Sequence, residues 1–178
     1  KSLSYMNILL TSVSNASNLE AMIYKEPLVA LDLGLLVHSQ IDEYGLSFPQ
    51  HRFVTEIAPG ANIMGNEDRL RQLLANLMNN AIEHSHLQSP ITVRLSQKQG
   101  LAELSVRNQG VRLPIEKEKM FDLFVSLRDA GHWKSDNLGL GLYLVKLIAE
   151  GHGGWVRADD LPGLDGAVFT VGIPLLTG

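Results

Sequence analysis

The stretch NEDRLRQLLANLMNNAIEH, residues 66–84, decides how this chain is read. Leu70, Leu73, Leu74, Leu77, Met78, Ala81 and Ile82 recur at offsets of three and four, which puts them on one stripe of an α-helix. Asn66 has the side chain of a helix cap, and Glu67 and Asp68 stand in the first turn, where the helix dipole favours acids. A second stripe is polar. Asn76 and Asn80 are four apart, with Glu83 and His84 three and four residues further on, so the four share one face. A solvated face is the simplest account of that stripe taken alone. Against it, asparagine is a poor helix former, and solvent-facing positions more often carry Lys or Glu. A neutral amide oxygen is also a hard ligand suited to Mg²⁺, which binds mostly through phosphates.

On either side of this helix the chain mixes strands and helices. Residues 1–23 hold no Pro or Gly and read as helical up to Lys25-Glu26-Pro27. Strands are expected at 27–33, 51–57 and 62–64, with a helix at 34–43 between the first two. Residues 90–96 and 101–107 alternate with period two and meet through Gln99-Gly100, a hairpin signature. Pro114 opens a short helix to about residue 122, and 125–137 is a polar, irregular loop. A helix over 139–150 stops at Gly151, and strands at 155–158 and 167–173 complete the chain. Without a regular βαβ alternation, the order implies an α+β two-layer sandwich.

Composition narrows the function classes. A chain of 178 residues with 45% hydrophobic and 19% charged residues suits one globular domain with a real core. Its net charge of -4, with no Lys/Arg cluster, gives nucleic acid no footing. The absence of cysteine excludes disulfides and thiolate metal sites and fits a reducing cytoplasm. The longest apolar runs fall well short of the roughly 20 residues of a membrane helix. The N-terminus lacks a signal-peptide pattern and reads as an internal cut, which would leave any membrane anchor upstream.

Three further stretches carry possible chemistry. Leu138-Gly139-Leu140-Gly141-Leu142 opens a helix after the polar loop. Its glycines permit close backbone approach, and helix N-terminal N–H groups attract anions. A tightly packed helix start explains it equally well, and it lacks the spacing of a dinucleotide fingerprint. Residues 106–114, with Asn108, Gly110 and Arg112, follow a strand and read as a turn punctuated by Gly110 and Pro114. Residues 163–170 read as a hairpin turn entering the last strand.

Separately these are ordinary; in this order they resemble a known set. Residues 76–81 resemble the N box of histidine kinases, 108–114 a G1 box, 120–124 an F box, and 138–142 a G2 box. Residues 163–170 are similar to the final glycine-containing turn and strand of the same family. The set spans most of the chain and is identified with the GHKL group of ATPases and kinases. The run Glu20-Ala21-Met22-Ile23 followed by Val29-Ala30-Leu31-Asp32-Leu33 resembles the exit from the dimerisation helices of a sensor histidine kinase. There is also a fainter likeness to sensor kinases encoded beside proteobacterial sortase systems.

The resemblance implies a Bergerat-type α+β sandwich whose mixed sheet is covered on one face by helices. Residues 1–26 would end the upstream dimerisation helix and linker, and 27–178 would be the ATP-binding catalytic domain. Asn80 would hold Mg²⁺ bridging the phosphates of ATP, with Asn76 beside it. The backbone of Leu138, Gly139, Leu140, Gly141 and Leu142 would cradle the phosphates, and 125–137 would form the lid. His84 stands where the family often has an adenine-covering aromatic. Three positions depart from the family pattern. Asn108 replaces an aspartate that accepts from the adenine amino group. Arg112 replaces the second G1 glycine, where a positive φ would strain it. Glu83 replaces a phosphate-side cation, a charge we expect Arg112 to restore.

None of His38, His51, His84, His86, His132 or His152 has the context of a kinase phosphoacceptor. His38 reads as a packed or half-exposed helical residue and the others as loop or surface residues. Phosphotransfer would therefore need the upstream dimerisation and phosphoacceptor domain, with a response regulator receiver domain as the next partner. The parent would be a homodimer, and this part of it cytoplasmic with no direct membrane contact. The alternative is a degenerate module that binds ATP weakly and regulates by contact, favoured by Asn108, Arg112 and Glu83. A gyrase-type ATPase needs a catalytic glutamate where Asn76 stands.

Overall fold

Helix α2 (Glu67–His84) organises the structure: Leu70, Leu73, Leu74, Leu77, Met78 and Ala81 of its apolar stripe are all buried. The computed structural model describes residues 14, 17–113, 116–122 and 140–176. In chain order, β1 (Val29–Asp32) leads into α1 (Leu33–Ser47), then β2 (Phe53–Ile57), β3 (Asn62–Gly65) and α2. Strands β4 (Ile91–Lys98) and β5 (Leu101–Gln109) follow, then a 3₁₀ turn (Lys117–Phe121), α3 (Gly141–Gly151), β6 (Trp155–Asp160) and β7 (Gly166–Pro174).

Five strands form the main sheet in the order β2-β4-β5-β7-β6, while β1 and β3 pair separately. Only β2 and β4 run parallel, with Phe53 opposite Ile91; the other neighbours are antiparallel, so the sheet is mixed. Gln99 and Gly100 make the predicted hairpin, both at positive φ (51° and 78°), the twist a two-residue turn needs. Along β5 alternate residues Ala102, Leu104, Val106 and Asn108 are buried. The opposite face carries Thr92, Arg94, Ser105 and Arg107 in register. One face thus lies under helices, as the resemblance implied. On the other face the indole of Trp155 lies against Gly172, its register partner, where any Cβ would overlap the ring.

The core joins Leu70, Leu73, Leu74, Leu77, Met78 and Ala81 of α2 to Leu33, Leu36, Val37 and Ile41 of α1 and to Val145, Leu147, Ile148 and Ala149 of α3. Each large side chain fully buried there contributes about 1.5–3 kcal/mol. The caps agree with the sequence in α2, where the Asn66 side chain accepts from Arg69 N–H at 3.1 Å. Helix α1 starts one residue earlier than expected because Asp32 caps it, accepting from Gly34 N–H at 2.8 Å. It also runs on to Ser47.

Helix α3 ends at Gly151, as the sequence implies, and Gly153 closes the turn beyond it. Gly153 takes φ +72°, which lets its N–H reach Glu150 O (2.9 Å) and that of Gly154 reach Ala149 O (2.8 Å). Gly151 also makes room for Ile23, whose side chain a Cβ there would crowd. One expectation is corrected here: His152 is not a surface residue, being 6% exposed. Its Nδ1 lies 2.7 Å from Ile148 O, and its Nε2 accepts from Asn66 N–H at 3.0 Å. Those partners require Nδ1 to donate and Nε2 to stay unprotonated, a neutral imidazole tying the end of α3 to the start of α2. Burial pushes its pKa below the ordinary value, opposed by the Ile148 carbonyl and by Glu26.

Because the folded pKa lies below the unfolded one, near 6.5, this histidine's stabilisation is complete above ~6.5 and is lost as pH falls through the folded value. His84 is shifted the same way, also by burial. We expect urea unfolding to show wild type losing stability between pH 7 and 5, with a shallower loss in His152→Gln. Equal slopes for the two proteins would refute this role of His152.

Candidate nucleotide site

The C-terminus of α2 is seated on the end of β5. His86 N–H donates to Gln109 O at 3.0 Å, Val111 N–H to His84 O at 3.4 Å, and Ser85 bridges Gly110. Gly110 is buried in this seam, and a Cβ on it would overlap the carbonyl oxygen of His84. Its own N–H donates to Asp165 O at 3.0 Å, which brings the β6–β7 turn to the same corner. The glycine is therefore required by close approach of two backbones, a stronger reason than turn punctuation.

From that corner the polar stripe of α2 runs back toward α3. Asn76 is half-buried; its Nδ2 donates to Gln72 O at 2.9 Å, one turn back. Its Oδ1 lies 3.0 Å from where a Cβ on Gly141 would stand, so the glycine admits the amide between the two helices. Asn80 is half-buried one turn on, and Glu83 is exposed. His84 is half-buried, and burial lowers its pKa against the opposing pull of Glu83. Its imidazole is thus biased toward the neutral form.

Asn108 faces the helical layer from β5 and is 2% exposed. Neither Oδ1 nor Nδ2 has a hydrogen-bond partner among the described residues. Leaving a buried polar group unpaired costs about 1–3 kcal/mol, so this amide calls for a polar partner beyond the described residues.

Arg112 stands apart from this buried set. It is exposed and paired with Asp165, which raises its pKa through a hydrogen bond. It does not adopt the positive φ that would strain it: among the described non-glycine residues only Gln99 does. Leu140 precedes α3 in helical conformation, its carbonyl accepting from Leu144 N–H at 2.9 Å, and Leu142 packs partly buried against the core. Leu138, Gly139, His132 and residues 125–137, where a lid is expected, lie outside the described residues. Of the segment 120–124, Phe121 is buried and meets Phe169 edge to face with centroids 6.1 Å apart.

Some supports had no sequence signal. Tyr44 OH donates to Asn79 Oδ1 at 3.0 Å, bracing α2 from α1. Arg69 grips Glu26 through Nε (2.7 Å) and Nη2 (2.6 Å), which holds the Glu26 carboxyl below its usual range. A charge pair so distant in sequence shows no periodicity.

A mixed sheet under helices, with an asparagine-bearing helix, a buried amide unpaired among the described residues and a glycine-opened helix, makes a two-layer α+β domain. Residues 65–177 match the family described as histidine kinase-, DNA gyrase B-, and HSP90-like ATPase. The sensor protein ChvG of Agrobacterium fabrum is 29% identical over 181 residues, covering 93% of this chain and 30% of that protein. The sensor histidine kinase CpxA of Klebsiella pneumoniae is 34% identical over 124 residues, covering 69% of this chain and 27% of that protein. Among solved structures, the mycobacterial sensor histidine kinase MprB gives a TM-score of 0.72 at 24% identity, over 85% of this chain and 99% of that one. Full-length ShkA in complex with AMPPNP gives 0.71 at 24% identity, over 96% of this chain and 36% of that one. At those identities the structural likeness establishes the fold.

The chain belongs to the histidine kinase-, DNA gyrase B- and HSP90-like ATPase family, as an ATP-binding catalytic domain of the sensor histidine kinase type. It spans only 27–38% of the length of the first curated relatives. Among the described residues no helix is long and apolar enough to cross a membrane.

The seam makes a direct prediction. Gly110→Ala should part α2 from β5 and destabilise the fold by about 1–3 kcal/mol, as overpacking does. Urea unfolding reads this; an unchanged midpoint would show that the seam can yield.

Proposed function

We propose that this domain binds Mg·ATP in the corner between α2, the end of β5 and the start of α3, and presents the γ-phosphate to a histidine on a dimerisation domain outside this chain. The observation that carries the proposal is the buried Asn108 amide, without a partner among the described residues, in the same corner as the half-buried Asn76, Asn80 and His84.

The residues fit the ligand. Asn108 faces the base, and neutral His84 lies along it. Asn76 and Gly141, with Leu140 and Leu142, line the phosphate side, where N–H groups at the start of α3 attract anions. Among the described residues no three His, Cys, Asp or Glu side chains gather to cage a cation. A single amide oxygen, that of Asn80, is the donor suited to Mg²⁺ held otherwise by phosphates and water. Bound there, the ion would neutralise phosphate charge. Arg112 reaches the phosphates only by leaving Asp165, and an exposed ion pair opposes that weakly. The work of such a domain is positioning and charge stabilisation.

The partners that complete the reaction are the upstream dimerisation and phosphoacceptor domain, in a homodimeric parent, and a response regulator receiver domain. Residues 1–26 would belong to the connection with that upstream domain. We place the domain on the cytoplasmic side of a membrane-anchored sensor.

Calorimetric titration with a non-hydrolysable ATP analogue, with and without Mg²⁺, tests the reading. Wild type should bind more tightly with Mg²⁺, and Asn80→Ala should lose about tenfold, ~1.4 kcal/mol, confined to the Mg²⁺ condition. Arg112→Ala should weaken binding in both conditions. Absence of binding at millimolar nucleotide would overturn the kinase reading in favour of a regulatory module.

A further inference from the structure

The Asn108 amide has a property that its place in the corner does not by itself explain. It is 2% exposed, and both its oxygen and its nitrogen are unpaired among the described residues. Its neighbours on the same face are small: Ala167 stands opposite it in register, and Gly110 is two residues on. Among the described residues, then, no group donates to Oδ1 or accepts from Nδ2, so hydrogen bonding within the fold does not choose which way round the amide sits. The terminal torsion of asparagine is broad and two-fold, so a half-turn exchanges donor and acceptor at little cost.

A carboxylate at this position would offer acceptors only. An amide offers a donor beside an acceptor, the complement of a purine edge. In adenine that edge presents an amino donor beside the N1 acceptor. In hypoxanthine, and in guanine, it presents an O6 acceptor beside an N1–H donor. One orientation of Asn108 matches the first and the flipped orientation matches the second.

We propose that Asn108 makes this site permissive for the purine base: the amide reads the base edge through both of its polar atoms and turns over to accept a 6-oxo purine as well as a 6-amino one. The proposal rests on the nucleotide reading above and extends it from ATP to the class of purine nucleoside triphosphates. Base selectivity at this corner is then set by one residue.

The test compares Mg²⁺-dependent binding of ATP and inosine triphosphate by titration to wild type, Asn108→Asp and Asn108→Leu. Inosine triphosphate carries the O6/N1–H edge without guanine's 2-amino group, so steric exclusion at that group does not enter. Wild type should bind the two within about tenfold of each other. Asn108→Asp should shift the ratio toward ATP by a further tenfold or more, because a carboxylate repels O6. Asn108→Leu, close in size but without polar atoms, should weaken both nucleotides. A wild-type preference for ATP beyond tenfold overturns the proposal, as does a ratio that moves less than tenfold in Asn108→Asp. If Asn108→Asp does not fold, unchanged affinities in Asn108→Leu overturn it. In each of those cases ATP binding by wild type leaves the nucleotide reading standing; if wild type binds neither nucleotide, both fall.

Discussion

The structure depends on one close approach: the last turn of α2 lying directly on the end of β5. Gly110 has no side chain, so the carbonyl of His84 can occupy the space where a Cβ would be. The backbone bonds from His86 to Gln109 and from Val111 to His84 then close the seam. Asn108, two residues before Gly110 on the buried face, is thereby carried to the same corner as the polar stripe of α2. Without the seam the helix would still bury its leucines on the sheet, but its asparagines would have no fixed relation to the strand.

The other end of α2 is fastened as deliberately. Neutral His152 accepts from the N–H of Asn66 and links the helix start to the end of α3. Arg69, one turn in, holds Glu26 of the preceding chain. Midway, Asn76 occupies the space left by Gly141. The helix is therefore held at its start, middle and end by polar contacts, over a core that supplies most of the cohesion. Polar contacts contribute geometry here more than stability, since each is worth about 1 kcal/mol net while a core leucine is worth more.

The sequence revealed those features whose cause is local. The leucine stripe of α2, its Asn66 cap, the Gln99-Gly100 turn and the alternation in β5 are each legible within a few residues. The asparagines of α2 stood out because they are poor residues for a solvated helix face. What could not be read was pairing across distance. His152 reads as a loop or surface residue, while Asn66, whose N–H it accepts from, lies 86 residues away. Gly110 was legible as a turn glycine, but the backbone it makes room for belongs to another element. The strain expected at Arg112 came from an assumed positive φ; the chain leaves β5 without one and turns the guanidinium to Asp165. The orphaned amide of Asn108 shows only when the fold has buried it.

The central claim is that one corner, formed by α2, β5 and the start of α3, receives the nucleotide. Amide chemical-shift mapping by NMR as Mg²⁺ and AMPPNP are added tests it most directly. The account predicts that the largest shifts cluster at Asn76, Asn80, His84, Asn108, Gly110, Gly141 and Leu142. Shifts confined to the open face of the sheet, around Arg94, Ser105 and Arg157, would contradict it.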